Sequence, residues 1–422
     1  MGLANTGRIL YISIVDVSQP DGPGVNEREF MVSLLHRFGR RVHVLIPRPR
    51  EACSDVDTTR TTYYRNPGRW NPFGFLRQQW ELKNKIWHLL AQQSFDLVVL
   101  RVGVLPLGFY LTRKMPVPYA VKTFGDYRGF EQKAGLKGLI GTSISRFNRF
   151  LVRHILAGAL AIDTVTEILR KAHAKEFGLP TERLRVIENA TNTRRFVAQD
   201  PTVARSATQI GNFHPVLGYV GGRPTERGGM QMLEVAARIL DDYSRLGVVI
   251  VGKGDLERLR KRAQELGIED HVVIPGQVPY EKIPSYVNSF DVCFALDRAD
   301  RFRQIGNSDQ KVRQYLACGK PVVTRATDDS FLVKENLAAI VEVDDLDAIE
   351  RATRRFLDWD DPMRRQHAVR VISYVRERLS TEATLSRRIE FWSQRLSQRV
   401  SGSRTRGRIS RRTRVLDTSG RQ

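Results

Sequence analysis

Short apolar segments alternate with longer segments of helical periodicity along this chain, and the pattern occurs twice. In the first half the apolar segments are residues 8–15, 42–47, 96–101 and 119–123. The pattern resumes within residues 216–240, 247–254, 271–297 and 338–343. Nearly continuous apolar strands separated by helices are typical of a parallel sheet covered on both faces. Since 422 residues are enough for two such domains, we expect an α/β fold with two sheets.

Composition places the domain boundaries. Residues 197–214 are polar and irregular, so we predict the linker there, with a first domain over residues 1–200 and a second over 201–378. A further helix is predicted over residues 379–398. Residues 399–422 contain many arginines and little that could be buried, which predicts a disordered basic tail.

Charge and cysteine content restrict the function. The net charge of +22 indicates an anionic partner: a nucleic acid, lipid headgroups or a phosphorylated substrate. The three cysteines are far apart, which argues against a disulfide framework and against a zinc site. The cysteine usage favours a reducing, cytoplasmic setting. The chain shows no secretion signal, and since no run approaches twenty apolar residues, we expect no transmembrane helix.

Residues 305–324 form the most informative segment. Gly306, Asn307 and Ser308 make a polar turn, and Ser308 is the predicted N-cap of a short helix. Lys311 and Gln314 are three residues apart, so they share one face near the start of that helix. Exposed helix N–H groups beside a cation favour an anion, and phosphate is the usual one.

Glycine-containing loops follow three predicted strands of the second domain. They contain Gly221-Gly222, Gly252-Lys253-Gly254 and Gly306. Loops at the carboxyl ends of parallel strands meet in one crevice, so these loops should converge near Arg223, Arg227 and Lys311. No G-x-G-x-x-G motif follows the first strand, and the dinucleotide fingerprint is therefore absent. The sequence predicts a phosphate site of another kind.

Residues 131–157 predict a basic amphipathic helix. Its apolar stripe is Ile140, Ile144, Phe147, Leu151 and Ile155, with lysines and arginines beside it. Such a helix can lie on an anionic bilayer surface. Equally, the stripe can pack on the core and leave a solvated basic side. The sequence leaves both alternatives open.

The run SDQKVRQYLACGKPVV, residues 308–323, resembles the signature helix and strand of the retaining group 1 glycosyltransferases with the GT-B fold. Ser308, Lys311, Tyr315, Gly319 and the Lys-Pro-Val-Val end agree with the family pattern. Asp309 stands where proline is usual. Gly306 and Gln314 occupy the positions of two glutamates, the second of which normally holds the ribose hydroxyls.

The resemblance implies two Rossmann-like domains facing a cleft, with the donor in the second domain, the acceptor in the first, and residues 379–398 returning to the first domain. It implies a nucleotide-sugar co-substrate, UDP- or GDP-linked, with no metal and no other cofactor. Arg227 and Lys311 would bind the diphosphate. Asp126 lies near the position of a family histidine and is the third candidate catalytic residue, with a helix cap or a loop contact as its alternative role. The candidate donor-binding residues are Gly24, Gly222, Arg223, Gly252, Gly254, Val278, Gly306, Asn307, Ser308 and Gln314.

The expected function is therefore sugar transfer to a glycan or lipid-linked acceptor by a peripheral protein at the cytoplasmic membrane face, held there by residues 131–157. The alternative is a GT-B-like scaffold with weak or no transfer, which the residues Gly306 and Gln314 motivate. Nucleic-acid binding through the tail is a third class. The tail lacks interleaved aromatic residues for base stacking, which argues against it.

Overall fold

The computed structural model describes residues 3–19, 22–51, 58–66, 71–123, 136–208, 210–342 and 344–416. Within these ranges the chain forms two parallel sheets, one of seven strands and one of six. Helices cover both sheets. The predicted α/β fold with two Rossmann-like domains is confirmed.

The first sheet has the strand order β3-β2-β1-β4-β5-β6-β7. Its strands are β1 Ile9–Ser13, β2 Val42–Pro47, β3 Thr61–Tyr64, β4 Leu97–Arg101, β5 Tyr119–Lys122, β6 Ala161–Thr164 and β7 Leu184–Val186. Its helices are α1 Leu3–Thr6, α2 Gly22–Phe38, α3 Pro72–Gln92, α4 Leu107–Thr112, α5 Leu136–Gly158 and α6 Glu167–Phe177.

Strand β1 shows why the apolar runs become central strands. Ile9 pairs in parallel with Val42 on one side and with Leu97 on the other. Leu10 and Ile12 enter the core beneath α3 and α5, while Ile9 and Tyr11 enter the core beneath α2. Since both faces of the strand are buried, the positions from Ile9 to Ile12 are apolar, and each fully buried aliphatic side chain stabilises the fold by about 1.5–3 kcal/mol.

The second sheet has the order β10-β9-β8-β11-β12-β13. Its strands are β8 Val216–Val220, β9 Gly247–Val251, β10 Val272–Gly276, β11 Val292–Ala295, β12 Val322–Thr324 and β13 Ala339–Ile340. The helices that follow β7 are α7 Pro201–Thr208, α8 Gly229–Ile239, α9 Leu256–Glu265, α10 Ile283–Ser289, α11 Ala299–Ile305, α12 Gln310–Ala317, α13 Phe331–Lys334, α14 Leu346–Leu357, α15 Asp361–Tyr374 and α16 Thr381–Leu416.

Helix α2 begins earlier than the sequence predicts. The glycines and prolines of residues 18–25 predict a turn-rich loop, with Asn26 as the N-cap of the helix that follows. That prediction is wrong, because α2 already begins at Gly22. Proline is tolerated in a first helical turn, where its missing N–H has no intrahelical acceptor, so Pro23 does not prevent helix formation there.

The predicted linker contains a helix. Residues 197–214 include α7, which begins after Asp200, whose carboxylate accepts hydrogen bonds from the N–H groups of Thr202 (2.8 Å) and Val203 (3.3 Å). Arg205 of α7 donates to Asp291 at 2.7 Å. The helix was missed because its buried face is short and depends on contacts distant in sequence.

The last helix packs on the first domain. Leu385, Ile389 and Trp392 of α16 belong to the apolar core beneath α2. The predicted end near residue 398 is wrong, because α16 continues to Leu416. Arginine has a good helix propensity and no proline interrupts residues 399–416, which explains the continuation. That residues 399–422 lack a packed structure stays a prediction.

The stripe predicted in residues 131–157 is divided between the core and the surface. Leu151 and Ile155 of α5 are buried in the core of the first domain, Ile144 is half-buried and Phe147 is exposed. Residues 131–135 and the side chain of Ile140 lie outside the described part of the chain. The core-packed alternative therefore holds for the second half of the stripe, and membrane contact through its first half stays a prediction. Among the described residues, no helix is long and apolar enough to cross a bilayer.

Candidate active site

Helix α12 is fixed to the second sheet by the residues of its motif. The Tyr315 hydroxyl accepts a hydrogen bond from the N–H of Val220 at 2.8 Å, which ties α12 to the end of β8. Gly319 follows the helix with a φ of 75°, a conformation that favours glycine. The Lys320 ammonium donates to the carbonyl oxygen of Asn288 at 2.6 Å. The N-cap residue is Asp309, so the prediction of Ser308 in that role is wrong.

The two cations predicted to bind a diphosphate lie beside one carboxylate. The Nζ atom of Lys311 is 3.2 Å from Asp309 Oδ2 and 3.2 Å from the Tyr219 hydroxyl. Arg227 contacts Asp309 Oδ1 at 3.5 Å and Asp297 Oδ1 at 3.2 Å. Two positive and two negative groups therefore meet at the carboxyl edge of the second sheet.

The protonation of the cations follows from this arrangement. Burial acts to lower the pKa of Lys311, but Asp309, Tyr219 and Asp297 together outweigh it, so the pKa is raised above its usual value. The pKa of Arg227 is likewise raised, because Asp309 and Asp297 together outweigh its burial. Both side chains are positively charged at neutral pH and can bind an anion that displaces a carboxylate.

The glycine loops after β8 and β9 approach each other closely. A Cβ atom at Gly252 would lie 1.9 Å from the carbonyl oxygen of Gly221, so only glycine fits there. A Cβ atom at Gly221 would lie 3.0 Å from Cε of Lys311. At Gly254, a Cβ atom would lie 3.1 Å from Pro224 in the loop after β8. Gly222, Gly252, Gly254 and Lys311 are thus brought together, as the convergence of strand ends predicts.

The loop before α12 lies against the first domain. A Cβ atom at Gly306 would be 3.2 Å from Ile168. The Thr166 hydroxyl donates to the carbonyl oxygen of Ile305 at 2.8 Å, and Asn189 Nδ2 donates to that of Ser308, also at 2.8 Å. The predicted donor-binding residues Gly306, Asn307 and Ser308 therefore lie where the two domains meet.

The buried side chain of Arg313 hydrogen-bonds to the backbone of this loop. Its guanidinium donates to the carbonyl oxygens of Asp309 (2.8 Å) and Asn307 (3.2 Å). The Asn307 amide donates to Thr324 Oγ1 at 3.0 Å. These bonds order the backbone in front of α12, where an anion would meet the helix N–H groups.

Gln314 adjoins a second set of polar groups that reaches across the domains. Its amide donates to the Tyr280 hydroxyl at 3.2 Å. Burial raises the pKa of Glu29 on α2 to about 7, and Arg195, Asn192 and Tyr280 act in the opposite direction. Gln314 thus lies near residues of both domains, on the same face of α12 as Lys311.

Other predicted site residues are placed apart from the cations. The side chain of Arg223 is 72% exposed, and the carboxylate within salt-bridge distance of it is Glu226, at 3.8 Å. Val278 packs on the apolar cluster of the second domain. Gly24 lies in the first turn of α2, where a Cβ atom would be 2.3 Å from the carbonyl oxygen of Gln19. Asp126 lies outside the described residues.

Sequence reasoning missed Asp297 and Tyr219, and it noted Asp309 only as a departure from the family pattern. The aspartate in place of the usual proline could have predicted the contact, because a carboxylate two residues before Lys311 can reach its ammonium group. Asp297 and Tyr219 gave no such signal, since their roles depend on how β8 and β11 lie side by side.

The first domain holds a buried charge cluster at the carboxyl ends of its strands. Glu27 forms ion pairs with Arg101 and, at 3.9 Å, with Lys122. Burial acts to raise the pKa of Glu27, but the two cations hold it at about 2. Lys122 of this cluster ends β5, the strand that precedes the candidate catalytic residue Asp126 in the sequence.

Among the described residues, no group of three or more His, Cys, Asp or Glu side chains is arranged to hold a metal ion.

Comparison with known proteins identifies the family. Residues 28–190 match the family described as "Glycosyl transferase 4-like domain", and residues 214–358 match "Glycosyl transferases group 1". The chain is 29% identical over 237 residues to the GDP-mannose-dependent alpha-(1-6)-phosphatidylinositol monomannoside mannosyltransferase of Mycolicibacterium smegmatis, covering 53% of this chain and 59% of that protein. It is 27% identical to the 2-deoxystreptamine glucosyltransferase of Streptomyces kanamyceticus, covering 51% of this chain and 54% of that protein. The chain thus spans little more than half the length of these relatives.

Solved structures show the same fold. Sucrose-phosphate synthase from Thermosynechococcus elongatus superposes with a TM-score of 0.70 at 16% identity, covering 93% of this chain and all of that one. HepE of Anabaena, in complex with UDP and glucose, gives a TM-score of 0.62 at 14% identity, covering 94% of this chain and all of that one. The solved structures thus show the GT-B fold, and the two family matches show that the chain belongs to the group 1 glycosyltransferases.

Proposed function

We propose that this protein transfers a sugar from a nucleotide-sugar donor to a glycan or lipid-linked acceptor. The observation that carries the proposal is the meeting of Lys311 and Arg227 beside the Gly221 loop. A mannosyltransferase named as GDP-mannose-dependent and a structural neighbour that contains UDP support a UDP- or GDP-linked donor.

In this proposal the diphosphate of the donor lies between the glycine loops and the N-terminus of α12. Breaking the bond between sugar and phosphate leaves negative charge on the nucleoside diphosphate, and Lys311 and Arg227 would stabilise that charge. The diphosphate would replace Asp309 as their counter-ion. Gln314 would hydrogen-bond the ribose hydroxyls through its amide. Retention of anomeric configuration and independence of metal ions belong to the proposal through the family resemblance.

The finer part of the proposal concerns location. We place the reaction at the cytoplasmic membrane face, with the protein bound peripherally. The net charge of +22 supports this location, because anionic headgroups attract basic proteins.

A panel of UDP- and GDP-sugars, scored by release of the nucleoside diphosphate, tests the function. We expect Lys311→Ala to lower turnover of the accepted donor by roughly 10²–10³-fold, as losses of charge-stabilising groups do in other enzymes. Lys261→Ala is the matched control, since Lys261 lies exposed on α9 with a 75% exposed side chain. Equal turnover in wild type and Lys311→Ala would contradict the assignment.

The second candidate is a scaffold that binds a nucleotide or a glycan without transfer. The replacement of the two family glutamates by Gly306 and Gln314, together with the neutralisation of the two cations by Asp309 and Asp297, favours it. Thermal shift with the same panel separates the candidates. A donor that stabilises the protein but is not consumed, with or without acceptor extracts, identifies the scaffold.

A further inference from the structure

Helix α3 exposes a stripe of large apolar side chains. Phe73 is 79% exposed, Leu76 52%, Trp80 57% and Trp87 39%. Spacings of three, four and seven residues place all four on one helical face. The opposite face, with Leu82, Ile86 and Leu89, is buried in the core, so the exposed stripe is not needed to attach α3 to the sheet.

The stripe continues onto α4 and α5. Leu76 and Trp80 line a groove of about 910 Å³ together with Leu107 and Leu111 of α4. Tyr110 of α4 contacts the ring of Phe150 on α5, with ring centroids 5.6 Å apart. We call the exposed side of these three helices, which also includes Phe147, the α3–α5 surface. An apolar surface spread over three helices is unusual for a protein face that contacts only water.

Cations surround these aromatic side chains. The Lys83 ammonium lies 4.0 Å from the centroid of the Trp80 ring, and the Arg113 guanidinium lies 3.7 Å from that of Tyr110. Arg65, Arg77 and Lys85 line the groove. Helix α5 adds the exposed Arg146 and Arg153, whereas its half-buried Arg149 lies 3.9 Å from Glu176 of α6. Glu81 lines the groove as well, and it lies 3.8 Å from Arg65. The helices α4 and α5 contain no acidic residue.

We propose that the α3–α5 surface docks this protein on an anionic lipid bilayer. Tryptophan and phenylalanine side chains enter the boundary between headgroups and acyl chains, while lysine and arginine extend toward the phosphates. The apolar residues alone could also bind a protein partner. The surrounding cations favour a partner with a high density of negative charge, which an anionic bilayer provides. The inference rests on the proposed lipid-linked acceptor and names the surface by which the protein reaches it.

Vesicle sedimentation of the full chain tests the docking. We expect binding to phosphatidylcholine vesicles that contain phosphatidylglycerol, weak binding to phosphatidylcholine alone, and release by salt. The double variant Phe73→Glu/Trp80→Glu should bind roughly tenfold or more weakly. The triple variant Arg77→Glu/Lys83→Glu/Lys85→Glu should lose at least about fivefold for each cation changed.

Matched controls lie on the second domain. Met363→Glu/Val369→Glu changes apolar side chains of α15 that are 53% and 71% exposed, and Arg258→Glu/Arg260→Glu/Lys261→Glu changes basic ones on α9. The first control should bind vesicles like wild type. The second should bind almost as well, with only the small weakening that a lower net charge causes. In wild type, lipids brominated along the acyl chain should quench tryptophan fluorescence, and Trp80→Phe should lose much of that quenching.

Equal vesicle binding by wild type and the two α3 variants would overturn the inference. So would conversion of a dimer to a monomer by Phe73→Glu/Trp80→Glu without any vesicle binding, since a second copy would then cover the surface. Release of nucleoside diphosphate from a soluble donor distinguishes the two proposals. If the α3 variants lose lipid binding but keep donor turnover, the result supports docking through the α3–α5 surface. If wild type turns over no donor, the result contradicts the proposed function and leaves the docking inference standing.

Discussion

Asp309 is the residue that most changes the expected chemistry of the site. Its two carboxylate oxygens lie beside the two side chains proposed to hold the donor diphosphate, Lys311 at 3.2 Å and Arg227 at 3.5 Å. Without a donor, Asp309 and Asp297 together neutralise the two cations, which lowers the cost of burying them. With a donor, the Asp309 carboxylate competes with the diphosphate and repels it.

We therefore expect Asp309→Asn to bind UDP or GDP more tightly, by roughly tenfold, which corresponds to about 1.4 kcal/mol. Isothermal titration calorimetry of both variants measures this. Asp300→Asn is the control, because Asp300 pairs with Arg298 on the exposed side of α11, at 3.1 Å. Weaker binding by Asp309→Asn would mean that the carboxylate positions the cations and does not compete with the ligand.

At the scale of elements, α16 is the helix that joins the second domain to the first. Arg388 donates to Asp163 of β6 at 2.9 Å, and Trp392 Nε1 donates to the same carboxylate at 3.2 Å. Burial raises the pKa of Asp163 above its usual value, although Arg388 acts to lower it. The carboxylate is tolerated inside the core because these two donors satisfy it.

Arg388→Ala should destabilise the protein by about 3–5 kcal/mol, because it leaves Asp163 buried without its charged partner. Thermal unfolding of wild type and variant measures the loss. Arg387→Ala on the same helix is the comparison: its guanidinium pairs with Glu188 at 3.1 Å with 30% of the side chain exposed, and such pairs contribute about 1 kcal/mol or less. Similar losses for both variants would contradict a special role of Asp163.

Sequence reasoning succeeded for elements whose signals are local. Residues 42–47 became β2 because an apolar run was enough. Residues 346–357 by themselves predict a helix, and α14 forms there, with Asp345 accepting a hydrogen bond from the N–H of Ala348 at 2.8 Å. The start of α2 was missed, since Pro23 and Gly24 favour loops in isolation. In the site, the meeting of Lys311 with Arg227 could be predicted from convergent strand ends. The contacts of Asp297 and Tyr219 could not, because they depend on neighbouring strands.

At the scale of the whole molecule, Glu29 links pH to the contact between the domains. It lies on α2, while Tyr280 lies in the second domain, and burial raises the pKa of Glu29 from 4.5 to about 7. The folded protein therefore holds this proton more tightly than the unfolded chain. The stability that Glu29 contributes is fully present below pH 4.5 and is lost as the pH rises through about 7.

Glu29→Gln should accordingly gain stability relative to wild type as the pH rises across this window, by up to roughly 3 kcal/mol. Melting temperatures at about pH 5 and about pH 8 measure the difference. Glu257→Gln changes a carboxyl group that is 85% exposed on α9 and should show no such trend. A constant difference between Glu29→Gln and wild type at both values would show that Glu29 keeps its ordinary acidity.

The loop before α12 belongs to the second domain by sequence, yet the first domain holds it. Thr166 donates to Ile305, Asn189 donates to Ser308, and Gln310 donates to the carbonyl oxygen of Ala190. Any hinge motion that separates the two lobes must break these bonds and loosen the segment that would cradle the donor. In the proposed reaction, the same small set of hydrogen bonds would control both the opening of the cleft and the binding of the nucleotide, so that product release would accompany domain separation.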